Sequence, residues 1–373
     1  MVSKESLKEI NMGSDSKVSV GDVLIQVDGY DSDLESTHEL PLDLSNHRSQ
    51  VEQLQVMAFG TMLRLLVDMA SLPVLLAYDR FRFKKWIDTG RTGKCRLCIY
   101  VPKTLKDTET PRGVVMHLNG GGWTIGRPEV EAPICRYIAD TVGVVVVSPD
   151  YRKAPKYPYP HALEQAFQVA SWIANGGLSH ALSSSRVPNA QNVCVDPTRI
   201  GLSGGSAGSN LACALSTLCV SRPLPNRAKI RAQGLLYPAL NLAVPYHEKI
   251  ARVDPGRVLP PWMSQFFLRA YLPPPRHASD PLISPALAPD CIASHLPPTI
   301  ILTAAYDYLA YEADHYASRL HSLGVCVRHR RFEDVGHGFD GIPTRNRKQR
   351  MLNCKARDEA WGMIADIMRE TLL

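Results

Sequence analysis

The stretch of sequence that decides the fold is RIGLSGGSAGSN, residues 199–210. Its first five residues predict a short buried strand, and residues 209–219 predict a helix. Between them, GGSAG at residues 204–208 matches G-x-S-x-G, the pattern of a tight turn from strand to helix that presents a serine hydroxyl at the edge of a sheet. Small residues beside the serine allow such a turn to close. Ser206 is therefore a candidate nucleophile.

A second serine fits the same bare pattern. GLSGG at residues 201–205 has Ser203 at its centre, so the pattern alone does not decide between the two serines. Choosing Ser203 would shorten the strand to almost nothing and would put Gly-Ser-Ala-Gly inside the helix. The context therefore favours Ser206.

Strands alternate with helices on both sides of this turn. The predicted strands are residues 96–102, 113–118, 143–149, 199–203, 232–238, 299–305 and 325–332, and the predicted helices are residues 130–141, 162–174 and 209–219. This alternation is typical of an α/β fold with a mostly parallel central sheet flanked by helices on both faces.

Two stretches interrupt the alternation. Residues 176–192 are rich in serine and asparagine and are expected to form an exposed loop. Residues 240–296 are rich in proline and surround the aromatic segment WMSQFFLRAYL. Its aromatic residues are more typical of a helix core than of a pocket lining; they are Trp262, Phe266, Phe267 and Tyr271.

The first eighty residues contain one helical pattern, between positions 51 and 69 and before Pro73. The apolar residues that recur in it are Val51, Leu54, Ala58, Met62, Leu65 and Met69. We expect this face to pack against the body of the protein, with a lid or a membrane-surface helix as the alternative. The expected organisation is a catalytic domain over residues 81–373, with a helical cap formed by the N-terminal region, residues 1–80, and by an insertion, residues 240–296.

The composition of the 373 residues, with 45% hydrophobic and 21% charged residues, excludes a wholly disordered chain, a collagen and a coiled coil. The net charge of +6 comes from scattered basic residues, and the short cluster RNRKQR at 345–350 predicts a solvated loop rather than a nucleic-acid patch. No secretory signal or membrane span is evident, so we expect a cytoplasmic protein without stable membrane insertion. The sequence leaves a homodimer open.

Nine cysteines, an odd number, do not form the framework of a small disulfide-rich domain. Cys95 and Cys98 have C-x-x-C spacing but no second pair, and they lie in a predicted strand. Buried thiols are favoured over a redox or zinc site.

A glycine-rich segment follows the strand GVVMHL. Asn119 precedes three successive glycines and Trp123, and such glycines let backbone N–H groups converge on one point, as an oxyanion hole requires. A phosphate-binding loop is disfavoured because neither the P-loop spacing nor G-x-G-x-x-G is present.

Five motifs together resemble the hormone-sensitive-lipase-like branch of the α/β-hydrolase family, whose members are serine carboxylesterases. They are NGGGW at 119–123, DYRKAPKYPYPHALEQA from 150, GGSAGSN from 204, DYL from 307 and GHGF from 336, in the family's order. The resemblance implies an α/β-hydrolase fold and a carboxylic ester as the small-molecule substrate. It also implies that no metal or organic cofactor takes part.

The resemblance assigns the acid to Asp307 of D-x-L and the base to His337 of H-G-F. The chain order serine, aspartate, histidine is that of α/β hydrolases. From the residues alone, Asp307 follows a predicted strand and precedes a helix, so a helix N-cap is its alternative role. Three other carboxylates compete for the role of acid; they are Asp314, Asp334 and Asp340.

The remaining candidate site residues are neighbours of these motifs. Backbone N–H groups of Gly121, Gly122 and Ala207 would form the oxyanion hole, the first two by analogy with the family. Trp123 and Gly205 are candidate substrate-binding residues.

Two positions depart from the family pattern. Asn119 stands where the family has His, with His117 two residues earlier, and Gly205 stands where Asp is common. We expect the oxyanion hole to survive both changes. A transacylase or cyclising hydrolase of a fungal biosynthetic pathway is an alternative function. A non-catalytic small-molecule binding protein on this fold is a third hypothesis, and it is disfavoured because receptors resembling this branch have lost the histidine that His337 provides.

Overall fold

A computed structural model describes residues 49–105, 109–251, 253, 259–274 and 277–373. The first 48 residues of the expected cap lie outside the described residues, as do residues 252, 254–258 and 275–276 of the insertion.

An eight-stranded sheet forms the centre of the described chain. Its strands are β1 Arg82–Asp88, β2 Lys94–Tyr100, β3 Arg112–Leu118, β4 Val145–Asp150, β5 Val195–Gly205, β6 Lys229–Leu236, β7 Thr299–Tyr306 and β8 Val327–Gly336. Their order is β1-β2-β4-β3-β5-β6-β7-β8. The first two pairings are antiparallel and the other five are parallel. The prediction of a mostly parallel sheet is confirmed.

Helices cover both faces of the sheet. They are α1 Gln50–Ala70, α2 Leu72–Leu75, α3 Ala132–Val142, α4 His161–Ala174, α5 Gly177–Ser183, α6 Ala207–Ser221, α7 Tyr246–Ile250, α8 Pro261–Tyr271, α9 Asp290–Ala293, α10 Ala310–Ser322 and α11 Arg347–Leu372. One buried cluster joins the sheet to α3 and α11, and a larger one joins it to α4, α6 and α10. Strands buried on both faces explain the continuous apolar runs in β3 and β4.

Two sequence predictions about loops were wrong. The expected exposed loop at residues 176–192 contains α5, whose apolar residues Leu178, Ala181 and Leu182 are buried on one helical face. The basic cluster at residues 345–350 is mostly solvent-exposed as predicted, but α11 begins inside it, at Arg347. In both places a helical pattern was hidden by polar neighbours.

Helix α1 packs with the opposite face from the one predicted. The six apolar residues expected to face the body are all exposed, whereas Val56 and Gly60 are buried. The charged side chains face inward: Arg64 donates to the carbonyl of Thr124 at 2.9 Å, and Asp68 pairs with Arg127 at 2.6 Å. The face of α1 that meets the protein therefore combines these polar contacts with the buried residues Val56 and Gly60.

Helices α1 and α8 pack against each other. The ring of Phe59 meets those of Trp262 and Phe266 at centroid distances of 5.9 and 4.7 Å, and Glu52 pairs with Arg269 at 2.5 Å. The N-terminal region and the insertion thus share one contact surface. Their role as a cap stays a prediction.

The cysteines Cys95 and Cys98 lie in β2 as buried free thiols, as predicted. Burial raises the pKa of both thiols to about 12. In the described ranges, no three or more His, Cys, Asp or Glu side chains are grouped to hold a metal ion. None of the described helices is long and apolar enough to cross a membrane.

Candidate active site

The turn between β5 and α6 occurs at Ser206. This residue has φ 55° and ψ −119°, a conformation that non-glycine residues rarely adopt and that concentrates at functional sites. Its N–H donates to the carbonyl of Leu236 at 2.9 Å. A Cβ on Gly208 would lie 1.9 Å from the carbonyl oxygen of Leu118, so only glycine lets the helix start this close to β3. Ser203, the alternative serine, lies inside β5.

Asp307 and His337 meet Ser206 at the carboxyl edge of the sheet. Asp307 follows β7 and His337 follows β8, and parallel strands bring these ends together. His337 Nδ1 lies 2.7 Å from Asp307 Oδ2, and His337 Nε2 lies 2.9 Å from Ser206 Oγ. A carboxylate only accepts, so Nδ1–H donates to Asp307 and Nε2 is left to accept from the serine hydroxyl.

The Asp307 carboxylate is fully buried, and its Oδ1 also accepts from the N–H of Leu309 at 3.0 Å. Asp307 is therefore not the N-cap of α10, which begins at Ala310 and has Leu309 as its capping residue. Its carboxylate instead binds the N–H of that capping residue. One carboxylate oxygen orders the turn after β7, and the other holds the imidazole.

None of the three competing carboxylates is placed by the structure against His337 as Asp307 is: two are bound to other side chains and one is exposed. Asp340 accepts from the side chains of Tyr237 and Trp361. Burial raises the pKa of Asp340, and these two hydrogen bonds oppose the rise. The other two are Asp314, which binds His329 and Arg331 of β8, and Asp334, which is exposed.

The glycine loop after β3 lies beside the serine turn. Gly121 and Gly122 have φ of 106° and 57°, and a Cβ on Gly122 would lie 2.2 Å from the ring of Phe267 in α8. Within the described part of the chain, no hydrogen-bond acceptor takes the N–H of Gly121, Gly122 or Ala207. Ala207 is the first residue of α6, where helical N–H groups have no partner within the helix.

Two side chains to which the sequence analysis gave no role hold the start of this loop; one of them, Tyr151, lies in the motif that begins at residue 150. Glu131 Oε1 accepts from the N–H of Gly120 at 2.7 Å, and the hydroxyl of Tyr151 donates to the carbonyl of Asn119 at 2.8 Å. The Asn119 side chain donates to the carbonyl of Gly120 at 2.7 Å. The loop is thus anchored by one contact within it and by two side chains that follow it in the chain, at positions 131 and 151.

The candidate substrate-binding residues both lie next to tyrosines. Gly205 is buried, and a Cβ there would meet the hydroxyl of Tyr237 at 3.0 Å. The Trp123 ring is 4% exposed and stacks on Tyr271 with centroids 4.3 Å apart. Contact of Trp123 or Gly205 with a substrate stays a prediction.

Comparison with known proteins shows the family of the chain. A family model of the α/β hydrolase fold matches residues 115–341. An arylesterase of Saccharolobus solfataricus is 31% identical over 240 residues, which cover 64% of this chain and 72% of the relative. An arylacetamide deacetylase of Mus musculus is 29% identical over 311 residues, which cover 68% of this chain and 75% of the relative.

Among solved structures, an esterase of Pyrobaculum calidifontis is 28% identical with a TM-score of 0.68, and the match covers 86% of this chain and 98% of that structure. Fold, motif order and sequence similarity agree, and the chain belongs to the α/β-hydrolase family, in its hormone-sensitive-lipase-like carboxylesterase branch.

Proposed function

We propose that the protein is a serine carboxylesterase in which Ser206, His337 and Asp307 form the catalytic triad. The observation that carries this proposal is the continuous line of hydrogen bonds from Ser206 Oγ through His337 to Asp307, at 2.9 and 2.7 Å. The names of the similar proteins, arylesterase among them, support an ester as the substrate.

The reaction follows from these three groups. Ser206 Oγ attacks the ester carbonyl while His337 Nε2 takes the hydroxyl proton, and Asp307 stabilises the resulting imidazolium. The N–H groups of Gly121, Gly122 and Ala207 hold the oxyanion of the tetrahedral intermediate. His337 then gives its proton to the leaving alcohol, and the acyl group stays on Ser206. Water releases the carboxylic acid by the same steps, and no cofactor is required.

A short acyl group suits the space above the glycine loop. The ring of Phe267 lies directly against Gly122, and Phe266 lies near Gly60 of α1. The ring of Phe267 therefore lies beside one residue of the proposed oxyanion hole, and we expect it to limit the room for the acyl group.

The test compares Ser206→Ala with Ser203→Ala on p-nitrophenyl acetate, together with labelling by a fluorophosphonate. We expect Ser206→Ala to lose labelling and to lower kcat by about 10⁴ or more, to the residual level that oxyanion stabilisation and binding alone provide. Ser203→Ala should still be labelled. Turnover retained by Ser206→Ala, or labelling of Ser203 in the wild-type protein, would contradict the proposal.

Water as the acyl acceptor needs its own test, because a transacylase or cyclising enzyme would form the same acyl-enzyme. Intact-mass spectrometry after mixing with p-nitrophenyl acetate should show an acyl adduct on Ser206 that decays in plain buffer. An adduct that persists until an alcohol or amine is added would instead support acyl transfer. A ligand that binds while no adduct ever forms would support the binding protein.

A further inference from the structure

The second serine of the sequence has its own histidine and its own carboxylate. Ser203 Oγ lies 2.8 Å from His117 Nδ1, and His117 Nε2 lies 2.6 Å from Glu131 Oε2. His117 and Ser203 are register partners on the neighbouring strands β3 and β5. We call Ser203, His117 and Glu131 the inner triplet.

The hydrogen-bond donors and acceptors of the inner triplet match. Glu131 as a carboxylate only accepts, so His117 Nε2–H donates to it, and in the tautomer with its proton on Nε2 His117 Nδ1 accepts from the Ser203 hydroxyl. The second Glu131 oxygen accepts from the N–H of Gly120. This His117 tautomer is the reverse of that of His337, whose Nδ1 carries the proton.

The serine and the histidine of the inner triplet are closed to substrates. The Ser203 residue and the His117 residue are 0% exposed, and Ser203 lies within β5 rather than on a turn. A serine that no acyl group can reach performs no acyl transfer. Any role of the inner triplet must therefore come from its contacts with the rest of the active site.

The third member of the triplet, Glu131, contacts the glycine loop at residues 119–123, which carries the proposed oxyanion hole and which we call the oxyanion loop. Glu131 binds the N–H of Gly120, the residue directly before Gly121. A Cβ on Gly120 would lie 2.8 Å from the carbonyl oxygen of Gly205 and 3.3 Å from Glu131 Oε1, so this peptide is held between the serine turn and Glu131. A shift of Glu131 would move the N–H groups of Gly121 and Gly122 relative to Ser206.

We propose that Glu131 is a positioning residue that sets the geometry of the oxyanion loop, and that His117 and Ser203 fix the Glu131 carboxylate in place. This inference rests on the proposed function. Glu131 touches no reacting atom, and it acts through the N–H of Gly120. Its contribution should appear where negative charge develops on the substrate carbonyl and not in ground-state binding.

The experiment measures kcat and KM for p-nitrophenyl acetate, and the inhibition constant of an aryl trifluoromethyl ketone, which forms an oxyanion on the enzyme. Removing a complete oxyanion donor costs about 10²–10³ in kcat. Displacing the loop should cost less, so we expect Glu131→Ala to lower kcat by about 10- to 100-fold. The inhibition constant should rise in proportion, while KM changes by less than about threefold.

Glu131→Gln is the rescue variant. Its amide oxygen can accept from Gly120, and its amide N–H can donate to His117 in the other tautomer, which then donates to Ser203. We expect it to retain most of kcat. Glu129→Gln is the matched control for loss of a buried carboxylate in the same segment, since Glu129 pairs with Arg96 and Lys84. It should lower stability without the parallel change in kcat and inhibition.

Wild-type kcat in Glu131→Ala would overturn the inference, as would equal losses in Glu131→Gln and Glu131→Ala. If Glu131→Ala does not fold, Ser203→Ala replaces it, and a loss of ketone affinity without a change in KM is then expected. An unchanged ketone affinity in that variant would also overturn the inference. Failure of the proposed function is recognised separately, because Ser206→Ala would then keep its activity.

Discussion

Replacing Gly205 by aspartate should lower the stability of this protein, although Asp is common at this position in the family. A Cβ on Gly205 would lie 3.0 Å from the Tyr237 hydroxyl and 3.2 Å from its Cε2. Tyr237 has little freedom to move, because its hydroxyl binds Asp340 and its ring lies 4.8 Å from that of His337. The space next to the Cβ of an aspartate is therefore already occupied by Tyr237.

The size of the effect has two parts. Forcing extra atoms into a packed core costs about 1–3 kcal/mol, which applies to Gly205→Ala. The three atoms nearest that Cβ all belong to Tyr237, which offers no positive charge, and an unpaired buried carboxylate adds about 3–5 kcal/mol. Gly205→Asp should thus lose at least about 4 kcal/mol of the roughly 5–15 kcal/mol that stabilises a folded protein.

The assay is urea unfolding with Tm as a second measure, and kcat for p-nitrophenyl acetate below the transition. At about 2 °C per kcal/mol for a chain of this size, Tm should fall by roughly 8 °C in Gly205→Asp and by about 2–6 °C in Gly205→Ala. Adding Tyr237→Phe to Gly205→Ala removes the nearest atom, so the two changes together should cost less than their sum. A Gly205→Asp variant with the Tm and kcat of the wild type would refute the reasoning.

Three further predictions concern the proposed acid, the aromatic cover and a buried ion pair. Asp307→Asn should lower kcat by about 10⁴, because the imidazole loses its tautomer control, whereas Asp340→Asn should lower it far less in the same ester assay. Phe267→Ala should raise kcat/KM for p-nitrophenyl butyrate relative to acetate by about tenfold, since the two additional methylenes contribute about 0.8 kcal/mol each when they are newly buried; an unchanged ratio would exclude Phe267 from the acyl pocket. Burial opposes ionisation of Glu129, but hydrogen bonds led by that from Arg96 hold the pKa of its carboxyl well below the usual 4.5. The stabilisation is therefore present above pH 4.5 and is lost as pH falls, so urea unfolding should show Glu129→Gln less stable than wild type at pH 7 and the difference shrinking towards pH 3.

The sheet and the meeting of Ser206, Asp307 and His337 could be predicted because their signals are local. Each of the three residues follows a recognisable strand, and parallel strands place such ends at one edge. The glycines beside them are required by backbone geometry, as the contact between Gly208 and Leu118 shows. The order of the motifs along the chain therefore predicts which strand ends meet at the site.

Contacts between distant segments could not be predicted from the sequence. The predicted orientation of α1 is wrong because the apolar stripe of this helix does not face inward. The inward face carries Arg64 and Asp68, which bind residues 60 and 59 positions away in the chain. A helical pattern reports which side is apolar, and it does not report which polar side chains have buried partners. Glu131 was missed for the same reason, since it lies in no motif and acts on a peptide 11 residues earlier.

The two departures from the family pattern are accommodated by different neighbours: Tyr237 lies beside position 205, and the Asn119 side chain donates to the carbonyl of Gly120. With glycine at 205, Tyr237 occupies the space beside the serine turn, and the carboxylate nearest the oxyanion loop is that of Glu131. With asparagine at 119, the histidine of this region is His117, which lies two residues earlier, within β3. It binds Glu131 and does not bind the loop itself. A side chain added at position 205 therefore meets Tyr237 first. Double-mutant cycles that pair position 205 with Tyr237 should therefore show strong coupling, whereas cycles between position 205 and a distant surface residue should be additive.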